Sequence, residues 1–174
     1  QVGDVITFPD GVGFPPGALF TDKSPLQAAV NAWVNDRATT LATHCHINTW
    51  RVGGVQDMSS LFNSKTTFND DIDGWDTSAV TSLENAFYAA SEFNQDIDGW
   101  DTSAVRGLQG IFARAANFDQ PLNSWNVSKV ESLARAFSEA LKFNQALDSW
   151  DTSAVTGLYR VFYNAYEFNQ PLDS

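Results

Sequence analysis

Apolar positions in this chain recur every 25 residues. Residues 68–92 read FNDDIDGWDTSAVTSLENAFYAASE, 93–117 FNQDIDGWDTSAVRGLQGIFARAAN, 118–142 FDQPLNSWNVSKVESLARAFSEALK, and 143–167 FNQALDSWDTSAVTGLYRVFYNAYE. A weaker copy, THCHINTWRVGGVQDMSSLFNSKTT, spans 43–67, and a partial sixth unit, FNQPLDS, fills 168–174. Trp50, Trp75, Trp100, Trp125 and Trp150 form one column; Phe62, Phe87, Phe112, Phe137 and Phe162 form another. Such columns arise when units stack and each apolar position meets its copy in the next coil, so both are read as structural core.

Within a unit, Val80, Leu83, Phe87 and Ala90 are spaced i, i+3, i+7, i+10, one face of a short helix. Thr81 and Glu84 have capping-box spacing. The other half sets Phe93 and Ile97 inward, with Asp96 and Asp98 pointing away as in a strand. Gly99 permits a bend, and the Asp-Thr-Ser that follows Trp100 suits an Asx turn. The expected fold is an α/β repeat solenoid of short strand, turn and short helix, with a parallel sheet on one face. Its stack would be roughly 24 Å long at strand spacing.

The flanks differ. Residues 1–23 are rich in Gly and Pro and read as an extended lead-in. Ser24-Pro25-Leu26-Gln27 reads as a helix start, with Ser24 as N-cap and Pro25 at the first helical position. Leu26, Val30 and Trp33 would be its buried face and Arg37 its continuation, giving an N-terminal capping helix within 24–42. The partial sixth unit breaks off inside an expected strand, so more chain or a partner is expected to cover that edge.

Composition narrows the partners. A length of 174 residues with 43% hydrophobic and 13% aromatic content suits one domain with a large core. A net charge of −11 with no basic patch excludes nucleic acid and leaves cations or basic proteins. Cys45 is the single cysteine, so no intrachain disulfide forms. No apolar run approaches the ~20 residues of a membrane helix, so the chain is not expected to span a bilayer. No signal peptide is present; Gln1 in place of Met suggests a removed targeting segment or another boundary.

Two columns should line the open face of the sheet: Asp71, Asp96, Pro121, Ala146, Pro171, and Asp73, Asp98, Asn123, Asp148, Asp173. Carboxylates stacked about 4.8 Å apart repel one another. A cation or a partner's Lys and Arg would relieve this. A solvated acidic face is the simpler reading than a metal site, because hard cations need about 6–8 converging oxygens. Asp71, Asp73, Asp96, Asp98 and Asp148 are therefore candidate partner-binding residues, and no metal is assigned. Pro121 and Pro171 cannot donate to a ladder and would interrupt their strands. Asn69, Asn94, Asn144 and Asn169, with Asp119, read as an internal ladder to backbone; Asp76, Asp101, Asn126 and Asp151 read as turn residues. His44 and His46 would share a strand face with Cys45 opposed, a poor metal set. Asn126-Val127-Ser128 is a glycosylation sequon whose Asn the turn already explains. Nucleophile-elbow, phosphate-loop and His-Glu-x-x-His patterns do not occur. No catalytic residue and no cofactor is expected.

The pattern FNQxxxxWDTSxVxxLxxxFxxAxx, preceded by FTDKSPLQAAVNAWVNDRA, resembles the bacterial-surface-protein (BspA-type) repeat. That leucine-rich-repeat-like family is also catalogued as a lipoprotein repeat of unknown function. The resemblance covers about 43–174, and departs from the pattern where Arg51-Val52-Gly53 replaces Asp-Thr-Ser. It implies a leucine-rich-repeat-like solenoid, secreted or surface-exposed, with roles in adhesion or protein binding and no catalytic residues. Beside a surface binding module stand two other readings. One is a structural subunit of a larger assembly, lumenal or peripheral to an organelle membrane. The other is an enzyme whose site the sequence does not reveal.

Overall fold

The structure, a computed structural model, describes residues 17–172. The expected lead-in over 1–16 and Asp173 of the second acidic column lie outside them. Near the N-terminus stand α1 (Lys23–Asn35) and α2 (Arg37–His44). α1 buries Leu26, Ala29, Val30 and Trp33. Its N-cap is Asp22, not Ser24, and no side chain caps it. Pro25 therefore lies inside the first turn, where N–H groups have no intrahelical acceptor. The single expected helix is two. Asp36 leaves helical geometry (φ −146°), and its Oδ1 accepts the Thr39 N–H at 3.2 Å, capping a new helix that begins at Arg37.

From Ile47 onward the chain winds in coils. The expected helix and strand of each unit are both absent. Apart from a 3-10 turn at Ile47–Thr49, the described residues there form neither helix nor sheet. Isolated parallel bridges run Asp57, Ser82, Gly107, Ser132, Gly157, in the half expected to be helical. That half is a chain of tight turns. The N–H groups of Leu61, Asn63 and Lys65 donate back three residues, to Met58, Ser60 and Phe62. The alternate N–H groups of Met58, Ser60, Phe62 and Ser64 donate to Ser82, Glu84, Ala86 and Tyr88 in the next coil, at 2.7–3.0 Å. Every second donor thus stays in the coil and the others tie it to its neighbour, so backbone polarity is satisfied without a helix.

Two observations explain why a helix does not form. Stacked rings set neighbouring coils close, with centroids 5.2 Å apart for Phe62–Phe87 and 5.9 Å for Phe68–Phe93. An α-helix with side chains is about 10–12 Å across and cannot repeat at that spacing. Coil-to-coil bonds also run along the other faces, as from Thr81 N–H to the Gln56 carbonyl and Glu92 N–H to that of Thr66, so the stack cannot fan open to admit one. The turn chain demands left-handed backbone in two columns: Ser60, Asn85, Gly110, Arg135, Arg160, and Ser64, Ala89, Arg114, Glu139, Asn164, all at φ between 54° and 62°. The expected capping box is not one. Thr81 Oγ1 instead donates to the Gln56 carbonyl of the preceding coil at 3.1 Å.

The core is aromatic and stacked. Two parallel files run its length, Phe62 to Phe162 and Phe68 to Phe168, joined within each coil by rings 3.9–4.2 Å apart. Successive rings are nearly parallel, 4° apart for Phe93–Phe118. Beside them the tryptophans Trp75, Trp100, Trp125 and Trp150 each donate the indole N–H to a buried carbonyl of the preceding coil, at 2.9–3.1 Å. The burial is hydrophobic, and the indole bond fixes register between coils.

Candidate functional site

The acidic columns lie on the surface, as Asx turns rather than a strand face. Asp71, Asp73, Asp96 and Asp148 are exposed and Asp98 is half-buried. Asp71 Oδ1 accepts the Asp73 N–H, and Asp96 Oδ1 the Asp98 N–H, each at 3.0 Å. Asp98 reaches the next coil, where its two oxygens accept the N–H and hydroxyl of Ser124 at 2.8 and 2.7 Å. Asp73 and Asp148 spend no carboxylate oxygen on a hydrogen bond among the described residues. The columns therefore divide into carboxylates that shape the backbone and carboxylates that accept no hydrogen bond among the described residues.

The neighbouring polar columns spend their side chains on bonds within the stack. Asn69 Oδ1 accepts the Asn94 N–H and the Gln95 amide of the next coil, at 2.9 and 3.0 Å. Asn94, Asp119 and Asn144 repeat this toward Asp119, Asn144 and Asn169. In the turn column Asp76, Asp101, Asn126 and Asp151 each accept the N–H of the Ser two residues on, at 2.9–3.1 Å. The serine hydroxyl and N–H hold the carboxyls of Asp76, Asp101 and Asp151 below the usual carboxylate range, because they bond the charged form. Asn126 of the sequon takes the same turn, bonding Ser128 through both N–H and hydroxyl.

The His44-Cys45-His46 run is not a strand. His44 ends α2 and its Nδ1 sits 2.7 Å from Thr43 Oγ1, while His46 caps the 3-10 turn with Nδ1 2.9 Å from Asn48 Oδ1. Among the described residues no three His, Cys, Asp or Glu side chains converge as metal ligands would.

Three features escape the sequence reading. Asp70 accepts Trp33 Nε1–H at 2.9 Å and an Arg37 guanidinium N–H at 2.6 Å, clasping both helices to the second coil. Its signal was present: Asp70 stands in a column filled by Gln in every later unit, Gln95, Gln120, Gln145 and Gln170. Asp57, the one acid among Ser82, Gly107, Ser132 and Gly157, likewise pairs with Lys23 at 3.0 Å. The third is a cluster of guanidinium groups on exposed tyrosines, with Arg135 and Arg160 over Tyr159 at 5.6 and 5.1 Å and Arg160 over Tyr163 at 4.7 Å. No periodicity announces it, because it is built from departures from the pattern, Arg135 in the fourth unit and Tyr159, Arg160 and Tyr163 in the fifth.

These features define a repeat protein of stacked, largely irregular coils with a Trp and Phe ladder at a period of 25 residues. Two overlapping stretches, 29–135 and 95–174, match the family described as "Mycoplasma protein of unknown function, DUF285", and the chain belongs to that family. No curated protein and no solved structure matches it. Among the described residues no helix is long and apolar enough to cross a membrane.

Proposed function

We propose that this chain is a non-catalytic protein-binding or adhesion module that presents a rigid acidic surface outside the cell or on its surface. The observation that carries the reading is the pair of acidic columns set on a stapled backbone. Asp71, Asp73, Asp96 and Asp148 are solvent-facing, Asp98 lies beside them, and successive coils beneath are hydrogen-bonded to one another. A surface fixed before binding loses little conformational entropy on association. Free carboxylates at Asp73 and Asp148 favour a partner with Lys or Arg, through steering and complementarity. The stack shares with leucine-rich repeats the property this role needs, a preformed face built from repeated positions.

The test is cross-linking with mass spectrometry in the native extract, soluble and membrane fractions kept apart, through Lys23, Lys65, Lys129 and Lys142. A variant with Asp71, Asp73, Asp96, Asp98 and Asp148 changed to Asn runs in parallel, its fold checked by circular dichroism. The expected result is a reproducible partner in the wild type that the variant loses. A partner that persists in the folded variant overturns the acidic-face reading; no partner in either fraction removes the assembly-subunit reading and leaves a surface module whose ligand lies outside its own cell.

A further inference from the structure

Midway along the stack, one coil breaks the acidic pattern at several surface positions at once. Its stretch 121–129, PLNSWNVSK, holds no carboxylate, whereas 71–79 and 96–104 both read DIDGWDTSA and 146–154 reads ALDSWDTSA. Pro121, Asn123 and Asn126 stand where an earlier coil has Asp71, Asp73 and Asp76, and Lys129 stands where it has Ala79. Asn126-Val127-Ser128 is also the one Asn-x-Ser/Thr triplet in the sequence. Described coils lie on both sides of it, as the Thr102 hydroxyl bond to the Asn126 carbonyl and the Trp150 indole bond to the Leu122 carbonyl show.

The Asx turn uses one end of the Asn126 amide and leaves the other idle. Oδ1 accepts the Ser128 N–H at 3.1 Å and the Ser128 hydroxyl at 2.7 Å. An aspartate makes the same two bonds, as Asp76 does with Ser78. The turn therefore needs an oxygen and has no use for the nitrogen. Nδ2 bonds nothing among the described residues, and Asn126 is exposed. Val127, next in the chain, is buried and anchors the turn to the core. A substituent on Nδ2 would break no bond of the fold, because a substituted amide keeps its carbonyl oxygen.

We infer that Asn126 is an N-glycosylation site, taking its glycan from a lipid-linked diphosphate sugar on the secretory route. The inference rests on the extracellular part of the proposed function. In the transfer, Nδ2 forms a bond to the anomeric carbon of the sugar. The bond from that carbon to the diphosphate oxygen breaks, Nδ2 gives up one proton, and the lipid diphosphate leaves. The turn closes within three residues and needs no other coil, so the acceptor is shaped before the stack is complete. In the folded chain the glycan stands on a stretch free of carboxylates. It is a bulky, neutral, solubilising cover. It would divide the acidic columns, with Asp71, Asp73, Asp96 and Asp98 to one side and Asp148 to the other.

The test is mass spectrometry of the native protein, digested with trypsin and treated with a glycan-releasing amidase in heavy-oxygen water. The peptide of residues 115–129, AANFDQPLNSWNVSK, carries the site. The expected result is heavy-oxygen Asp at 126, with Asn117 and Asn123 unlabelled. An unlabelled Asn126 overturns the proposal. The full chain, secreted by a eukaryotic host behind a cleavable signal sequence, then locates the failure. If it gains a glycan at Asn126, the native chain never meets the sugar donor and the fault lies in the route. If it stays bare, the turn refuses the glycan and the proposed function is untouched. In the same host Ser128→Ala should lose the amidase-sensitive mass and Ser128→Thr should keep it. Asn126→Asp should lack it and melt with the wild type, because Asp76, Asp101 and Asp151 already hold this turn. A mass gain that survives Asn126→Asp places the glycan elsewhere and overturns the site.

Discussion

α1 and the second half of each repeat carry nearly the same apolar spacing and adopt different backbones. In α1, Leu26, Val30 and Trp33 lie on one buried helical face. In the second unit, Val80, Leu83, Phe87 and Ala90 are as completely buried, yet the chain between them is a run of tight turns. The difference lies in what each segment packs against. α1 lies against the first coil, where Gln27 meets the Leu61 carbonyl, and has no copy of itself stacked on it among the described residues, so a full helical cylinder fits. The repeat segment has a copy of itself above and below at ring-stacking distance and must hand half its N–H groups to that neighbour. A spacing of three and four residues reports which side chains turn inward; it does not report where the backbone donors go.

The largest expected effect tests the stack itself. Phe112 touches Phe87, Phe118 and Phe137 and is fully buried. Phe112→Ala should lower stability by about 3–5 kcal/mol, read as a fall in the urea midpoint. Phe162→Ala, on the half-exposed edge coil, should lose under half as much. Equal losses would mean that the edge coil is as covered as the inner ones.

Next comes a test of sign. Gly110 has φ +60°, and a Cβ there would lie 2.4 Å from Asn85 Oδ1. Gly110→Ala should destabilise by roughly 1–2 kcal/mol or more in a left-handed turn, whereas in a helix it would stabilise by roughly 0.5–1 kcal/mol. Ala89, at φ 54°, should behave inversely, with Ala89→Gly neutral or stabilising in thermal melts. A stabilising Gly110→Ala would restore the helix that the spacing suggests.

A smaller gain is expected at Gly99. Its counterpart Ser124 bonds Asp98 through N–H and hydroxyl, and Ser149 bonds Asn123 Oδ1 at 2.8 Å. Gly99 faces Asp73, whose Oδ1 would lie 2.9 Å from a Cβ. Gly99→Ser should add the missing staple and remove unfolded-state freedom, raising stability by about 0.5 kcal/mol. A lower melting temperature would show that the Asp73 carboxylate cannot shift to receive the hydroxyl.

The smallest effect is pH dependence. The carboxyls of Asp76, Asp101 and Asp151 sit below their ordinary range through their Ser partners, so their contribution is present above the unfolded value. It is lost as pH falls through the depressed folded value. Changing all three to Asn, as Asn126 already stands, should leave the turns intact and flatten the acid side of the curve of melting temperature against pH. An acid limb as steep as the wild type's would place the acid sensitivity in other groups.

The sequence by itself determined the period, the columns and the burial. Trp and Phe recur at 25-residue spacing because each must meet its copy, and both files are where the columns put them. It also determined the Asx turns, since Asp or Asn two residues before Ser bonds locally whatever the fold. The Asn ladder was legible in its column, which repeats with the period, although its bonds run between coils 25 residues apart. The backbone between the apolar positions was decided only by the tertiary structure. Left-handed φ at Arg114, Arg135, Ala89 and Glu139 has no signature in those residue types, and only Gly110, Asn85 and Asn164 in the two columns hint at it. The Asp70 clasp needed two helices brought against the second coil before an odd acid in a Gln column acquired its partners. The physical reason is common to these cases. Side-chain burial is a one-dimensional pattern that repeats along the chain, whereas backbone hydrogen bonds between coils are made across 24 residues or more and exist only once the coils are stacked.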